Sequence, residues 1–337
     1  MWQRIRGLWR PGAFHYSAEL EARRARPERK PAGVFEGWYI KLVDAQRTHP
    51  LALIPGVFLG EDAHAFIQVL DGETGEAWYH RYPIDEFQAS PDRFEAHIGG
   101  SSFSSRGVAL SIEPKIAGAP ALRGRIDFAD FAPWPVTRLS PGVMGPYGFT
   151  PFMQCYHGIL SVDHGLTGEL MVADRAHSFD AGRGYIEKDW GQGFPLGYVW
   201  AQSNHFEREG ISLTASVATI PWVTGAFRGF LVGFLLDGEL HRFTTYTGAR
   251  IESLHVGEQA VELVLRDRER RLEIHAQRTS GGMLMAPYAG QMLERVAETM
   301  TSEVDVRFSE IDGGVLYEGT GNSACLEAAG ELDRIVG

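Results

Sequence analysis

The feature that most constrains this chain is that its 337 residues run twice through one pattern. Phe35-Glu36-Gly37-Trp38-Tyr39-Ile40-Lys41 in the first half has a counterpart in Tyr198-Val199-Trp200-Ala201-Gln202-Ser203-Asn204 in the second. An apolar run with an Ile-Pro pair follows in each half, LALIPGVFLG from Leu51 and SLTASVATIPW from Ser212. HAFIQVLDGETGEAWYHRY from His64 then parallels RGFLVGFLLDGELHRFTTY from Arg228, and both carry Leu-Asp-Gly. GVALSIE at Gly107 matches RRLEIHA at Arg270. Two similar units are expected, and the length agrees at roughly 150 residues per domain.

Each unit reads as β structure. Asp71-Gly72, Asp237-Gly238 and Asp312-Gly313-Gly314 are tight-turn signals between alternating runs. The 40 glycines suit many turns and close backbone approaches. Helical periodicity is confined to Ala18–Arg26 and Met292–Thr301. The expected fold is all-β, two tandem lipocalin-like antiparallel β-barrels. A basic N-terminal arm covers 1–32, a first barrel 33–175, an inter-barrel segment 176–192 and a second barrel 193–337. Barrels of about eight strands can enclose one small apolar ligand. The same alternation also suits two sandwiches without a cavity.

Net charge is −11, yet residues 1–30 hold eight Arg and Lys against three Glu. The acidic remainder argues against nucleic acid as a partner. The arm, with Trp2 and Trp9, suits solvent or the surface of an anionic membrane, and it lacks the apolar core of a secretory signal. No apolar run approaches the roughly 18 residues of a membrane helix. Cys155 and Cys325 cannot build a disulfide scaffold or a four-Cys zinc site. A cytoplasmic setting is expected, with peripheral membrane contact through the arm.

Gly182 to Phe206 is the densest stretch in polar and aromatic residues. On a strand, Tyr185, Glu187 and Asp189 share one face, and Ile186, Lys188 and Trp190 the other. Trp200, Gln202, Asn204 and Phe206 likewise share a face. Amides alternating with large aromatics suggest a bound or bridged polar group. The chain has only four Lys and two Asn, so Lys188 and Asn204 stand out here. An ion-paired seam between the barrels is the structural alternative for Glu187, Lys188 and Asp189.

These pieces resemble the tocopherol cyclase family: FEGWYIK at Phe35, PFMQCYHGILS at Pro151, YIEKDWGQGFPLGYVWAQSN at Tyr185 and LMAPYAGQM at Leu284. The plant members carry Glu-Lys-Asn-Trp-Gly where this chain has Glu187-Lys188-Asp189-Trp190-Gly191. The resemblance runs from about residue 33 onward and implies tandem lipocalin-like barrels. It also implies closure of a chromanol ring, in which the phenol of a prenylated hydroquinone adds across an alkene of its own tail, with no redox change and no cofactor. Protonating such an alkene needs an acid, and a carboxyl in an apolar site is a candidate because burial disfavours its charge. Indole faces would stabilise the cation.

Candidate acids are Glu187, which is favoured, Asp189 and Glu36, for which an ion pair with an arginine at the barrel rim is the structural alternative. His157, beside Tyr156, is placed to orient or deprotonate a phenol. Tyr156, Tyr185, Trp38, Trp190, Trp200, Gln202 and Asn204 are expected to bind substrate, a prenylated quinol or another lipid-like molecule. No metal site is expected: His157 and His164 with Asp163 do not have a recognised ligand spacing. Cys155 has neutral neighbours and reads as an inert thiol. No nucleophile elbow, phosphate-binding loop or dinucleotide fingerprint is present. A non-catalytic lipid carrier and an isoprenoid hydratase are the competing functions.

Overall fold

The computed structural model describes residues 9–26, 28, 32–151, 153–222 and 225–336. They form two compact units: the first is built mainly from residues up to 194 together with 284–294, the second mainly from 195–283 and 295–337. Part of the expected arm, including Trp2 and the arginines before Trp9, lies outside the described residues.

The first unit carries β1 (Val34–Val43), β2 (Leu51–Leu59), β3 (His64–Asp71), β4 (Ala77–Tyr82), β5 (Phe87–Ala89), β6 (Glu95–Ile98), β7 (Ser101–Ser104), β8 (Gly107–Ile112) and β9 (Leu122–Ala129). A small hairpin, β10 (Val136–Thr137) and β11 (Ser140–Pro141), precedes β12 (Cys155–Val172), β13 (Arg175–Ser178) and β14 (Gly182–Gly191). The main sheet runs β4-β3-β2-β1-β14-β12-β9-β8-β7-β6-β5. The second unit has β15 (Gly197–Ser203), β16 (Ile211–Trp222), β17 (Gly225–Leu236), β18 (Glu239–Thr244), β19 (Arg250–Val256), β20 (Ala260–Arg266), β21 (Arg270–Gln277), β22 (Gly282–Tyr288), β23 (Gln291–Glu310) and β24 (Val315–Gly330). Its sheet runs β18-β17-β16-β15-β24-β23-β21-β20-β19. In both sheets a four-strand meander is joined through its first strand to the last long strand of the unit. β1 and β15 hold the same place, with Trp38 on one and Trp200 on the other.

The structure is almost entirely antiparallel β, as the alternation implied. Closed barrels are not what the ladders show. Among the described residues the first sheet ends at β4 and β5 and the second at β18 and β19, with no ladder joining the ends. Each sheet nonetheless curls round one core. Tyr82 from β4 and Phe87 from β5 belong to one buried cluster with Trp38, Ile67 and Ile186. Phe243 and Leu254, from the end strands of the second sheet, share another with Val217 and Leu272.

Three segments differ from expectation. Residues 176–192 contain β14, which pairs with β1 and β12 at the centre of the first sheet. Met292–Thr301 is strand, within β23. Its Val296, Glu298, Thr299 and Met300 are buried, and the long ladder with β24 outweighs the spacing of Met292, Val296 and Met300, which also suits a helix. The described stretch of the N-terminal arm is not a solvated tail. Ala13, Phe14 and Tyr16 are buried, and helix α1 (Ser17–Ala25) buries Leu20. Asp237-Gly238 turns as read, with φ of 51° and 84°, the left-handed pair of a type I′ hairpin.

Candidate active site

Strand β14 places charged groups on both its faces. Asp189 lies opposite Gly37 on β1 and His157 on β12, while Lys188 lies opposite Trp38 and Gly158. Directly paired residues point the same way, so Tyr185, Glu187, Asp189 and His157 share one face. Glu36, Trp38, Tyr156, Lys188 and Trp190 share the other. A bulge in β12 between Ile159 and His164 shifts the register beyond this point.

On the first face His157 is held between two carboxylates. Its Nδ1 lies 3.0 Å from Oδ1 of Asp189 and its Nε2 3.6 Å from Oε2 of Glu187. The Tyr185 hydroxyl donates to the same Glu187 oxygen at 2.5 Å. Burial alone would depress the imidazole pKa. Glu187, then Asp189, outweigh it and push it up to about 9, so His157 is an imidazolium at neutral pH. The side chains of His157 and Asp189 remain 14% and 24% exposed. The Cys155 thiol is 3.8 Å from Asp189. Burial first, and Asp189 next, push it well above the usual thiol range, which leaves it protonated and inert. His157, Glu187 and Asp189 offer ligand atoms within 4.8 Å of one another. Both imidazole nitrogens already face a carboxylate, which suits a bridging proton better than a metal ion.

The opposite face is sealed. Lys188 Nζ is 2.5 Å from Oε1 of Glu36, and both side chains are fully buried. Burial works to raise the Glu36 pKa. Lys188 and then His15 more than offset it and hold the carboxyl below its ordinary value. For Lys188 burial is the largest effect, and it lowers the ammonium to about 8 against the pull of Glu36. Both are charged at neutral pH, so Glu36 has no proton to give and is not the acid the sequence allowed it to be. Trp38 and Trp190 lie under the ammonium, 5.2 and 4.7 Å from their ring centres. Tyr156 stacks on Trp190 and donates to the Thr150 carbonyl at 2.5 Å. Trp38 and Trp190 therefore pack around the ion pair, and Tyr156, half-buried, lies against Trp190.

Trp200, Gln202 and Asn204 belong to the second unit and are buried. Trp200 lies opposite Ser216 and Glu327, and Gln202 opposite Thr214 and Cys325. His164 is not joined to His157. It is buried between Phe128 and Phe131, and burial, then Arg183, lowers it to about 3, so it is neutral. Asp163 is paired with Arg183. Sequence reasoning missed His15, whose ring stacks on Trp190 at 4.3 Å and 3°. Its only signal was an aromatic environment that cannot be read locally.

Residues 146–330 match the family model described as tocopherol cyclase-like. That is more than half of the chain and includes β12, β14 and β15, so the protein belongs to the tocopherol cyclase-like family. The matched range begins well after residue 33, where the resemblance in sequence begins. Among solved structures, CghA is similar with a TM-score of 0.53 at 11% identity, over 88% of each chain. Kievitone hydratase from Nectria haematococca gives 0.49 at 10%, over 96% of this chain and 94% of that one. An AttH protein from Nitrosomonas europaea gives 0.49 at 13%, over 88% and 93%. At 11% identity the CghA likeness concerns the fold alone. No curated protein sequence matches the chain.

Proposed function

We propose that the protein is an acid–base enzyme of the cyclase or hydratase type, adding an oxygen nucleophile across an alkene of a prenylated quinol or related lipid-like molecule. The observation that carries this is the imidazolium of His157 set between Glu187 and Asp189 on a face that stays partly open. Membership of the family supports ring closure as the form of the reaction. His157 gives a proton to the alkene carbon while a C–O bond forms at the other. The phenol loses its proton to Glu187, a carboxylate that also accepts from the Tyr185 hydroxyl. Proton and electron counts balance, and the product is an isomer of the substrate. Glu187 then returns the proton to the imidazole 3.6 Å away, which resets the pair. Asp189 keeps the ring oriented through Nδ1.

The finer architecture goes with this reading: each curled sheet acts as a lipocalin-like half-barrel around apolar side chains. An exposed apolar surface supports it too. Val136, Leu139 and Phe149 are exposed, Leu139 at 80%, on a stretch from 131 to 162 that holds Arg138 and no acidic residue. Trp9 joins them through its indole N–H to the Thr137 carbonyl at 3.0 Å and a ring contact with Phe149.

The test is incubation with prenylated hydroquinones in detergent, read by mass spectrometry. A product of unchanged mass with a closed ring is expected. Gain of one water would make the protein a hydratase. Ligand retained without turnover would make it a carrier.

A further inference from the structure

The acid–base chemistry leaves two features unused: the buried Glu36–Lys188 pair and the chain that covers it. A buried ion pair is often no more stabilising than apolar side chains in its place. Here its remaining hydrogen-bonding capacity goes to one short stretch of chain. The Glu36 carboxylate accepts from the N–H of His15 at 2.9 and 3.0 Å and from that of Tyr16 at 3.2 Å. Lys188 donates to the Ala13 carbonyl and to Nδ1 of His15, the latter at 2.7 Å. Trp38 Nε1 donates to the Gly12 carbonyl at 3.1 Å. Hydrogen bonds to ionised groups are the strong ones.

Shape agrees with charge. A methyl group on Gly12 would lie 2.9 Å from Cβ of Phe94, and one on Gly158 would lie 3.1 Å from Pro11. Two positions without side chains thus let the segment settle onto the sheet. His15 stacks on Trp190, and Phe14 meets Phe87 edge-on at 5.2 Å.

We infer that Gly12–Tyr16 is an intramolecular ligand in a built peptide site, and that Glu36 and Lys188 are positioning residues, holding β14 from this face so that Glu187 and Asp189 are set on the other. Lys188 stands between those two carboxylates in the chain, so any shift of its backbone moves both. The positioning half rests on the proposed role of the His157 face; the peptide-site half does not.

The test keeps the full chain. A protease site is inserted beside the exposed Glu28, the chain is cut, and the product is passed through gel filtration at micromolar concentration. The N-terminal fragment is expected to stay with the body and to exchange with excess synthetic peptide of residues 9–20. Its displacement is expected to lower the NMR titration midpoint of His157 by at least one unit. In a second variant, Glu36→Lys with Lys188→Glu keeps opposite charges but turns an ammonium toward the N–H groups of His15 and Tyr16. Retention should weaken at least about tenfold, which corresponds to roughly 1.4 kcal/mol. A fragment that falls away after cutting, or equal retention in the swapped protein, overturns the peptide site. If the swapped protein does not fold, the cut chain alone decides. Displacement that leaves the His157 midpoint unmoved overturns the positioning role. Turnover is not read here, so a failed catalytic assay remains distinguishable.

Discussion

His157 and Asp189 lie directly opposite each other on β12 and β14, and their side chains meet at 3.0 Å. The pairing fixes which nitrogen faces Asp189 and leaves Nε2 turned toward Glu187. Replacing His157 by Gln should therefore remove the proton donor while keeping the fold. Turnover of a prenylated hydroquinone should fall about 10²–10⁴-fold, the usual contribution of one general acid or base. Glu187→Gln should act similarly and Asp189→Asn less. Equal activity in His157→Gln, measured by product mass, would sink the assignment.

Stability should carry the signature of His157. Its pKa rises from the ordinary 6.5 to about 9 on folding. The folded state therefore holds this proton more tightly than the unfolded chain. The stabilisation is complete below pH 6.5 and is lost as pH rises through 9, a change of up to about 3 kcal/mol. Lys188 works in the opposite sense between about 8 and 10.5, because burial lowers it. Urea denaturation of the protein and of His157→Gln across this range isolates the difference. It should shrink steadily above pH 6.5, and a constant difference would contradict the raised pKa.

Phe14 tests whether the N-terminal segment is part of the core. It is 3% exposed within the first cluster. Phe14→Ala should cost about 3–5 kcal/mol, as for other buried phenylalanines. A solvated arm would show no change in the denaturation midpoint.

The exposed apolar stretch from Val136 to Phe149 gives a membrane prediction. Leu139→Asp with Phe149→Asp should reduce sedimentation with vesicles containing phosphatidylglycerol and leave the thermal midpoint nearly unchanged. Both side chains are exposed, at 80% and 42%, so little packing is lost. Unaltered sedimentation would remove this surface from the reading.

Much of the site was legible because strand alternation is local. Tyr-Ile-Glu-Lys-Asp-Trp separates its carboxylates from Lys188 in any extended conformation, and the structure keeps that separation. The repeat was legible for a similar reason, since each half spells its own turns. What could not be read was pairing at long range. Nothing near Glu36 announces Lys188, some 150 positions later. Nor does a stretch beginning among eight basic residues announce that Phe14 and Tyr16 are core. Without that contact Glu36 read as a candidate acid, and Trp38 and Trp190 as faces for a substrate.

The pairing of β1 with β14 also orders events in time. A chain emerging from the ribosome completes β1 to β4 long before Gly182–Gly191 exists to lie against β1. Until then one edge of the meander offers unpaired N–H and C=O groups, a template for association with other chains. The second unit repeats the arrangement, because β15 waits for β24. Each unit is thus finished by its last long strand, and non-local closure of this kind is slow. Truncations ending shortly before residue 182 should consequently be insoluble, whatever the quality of the strands they retain.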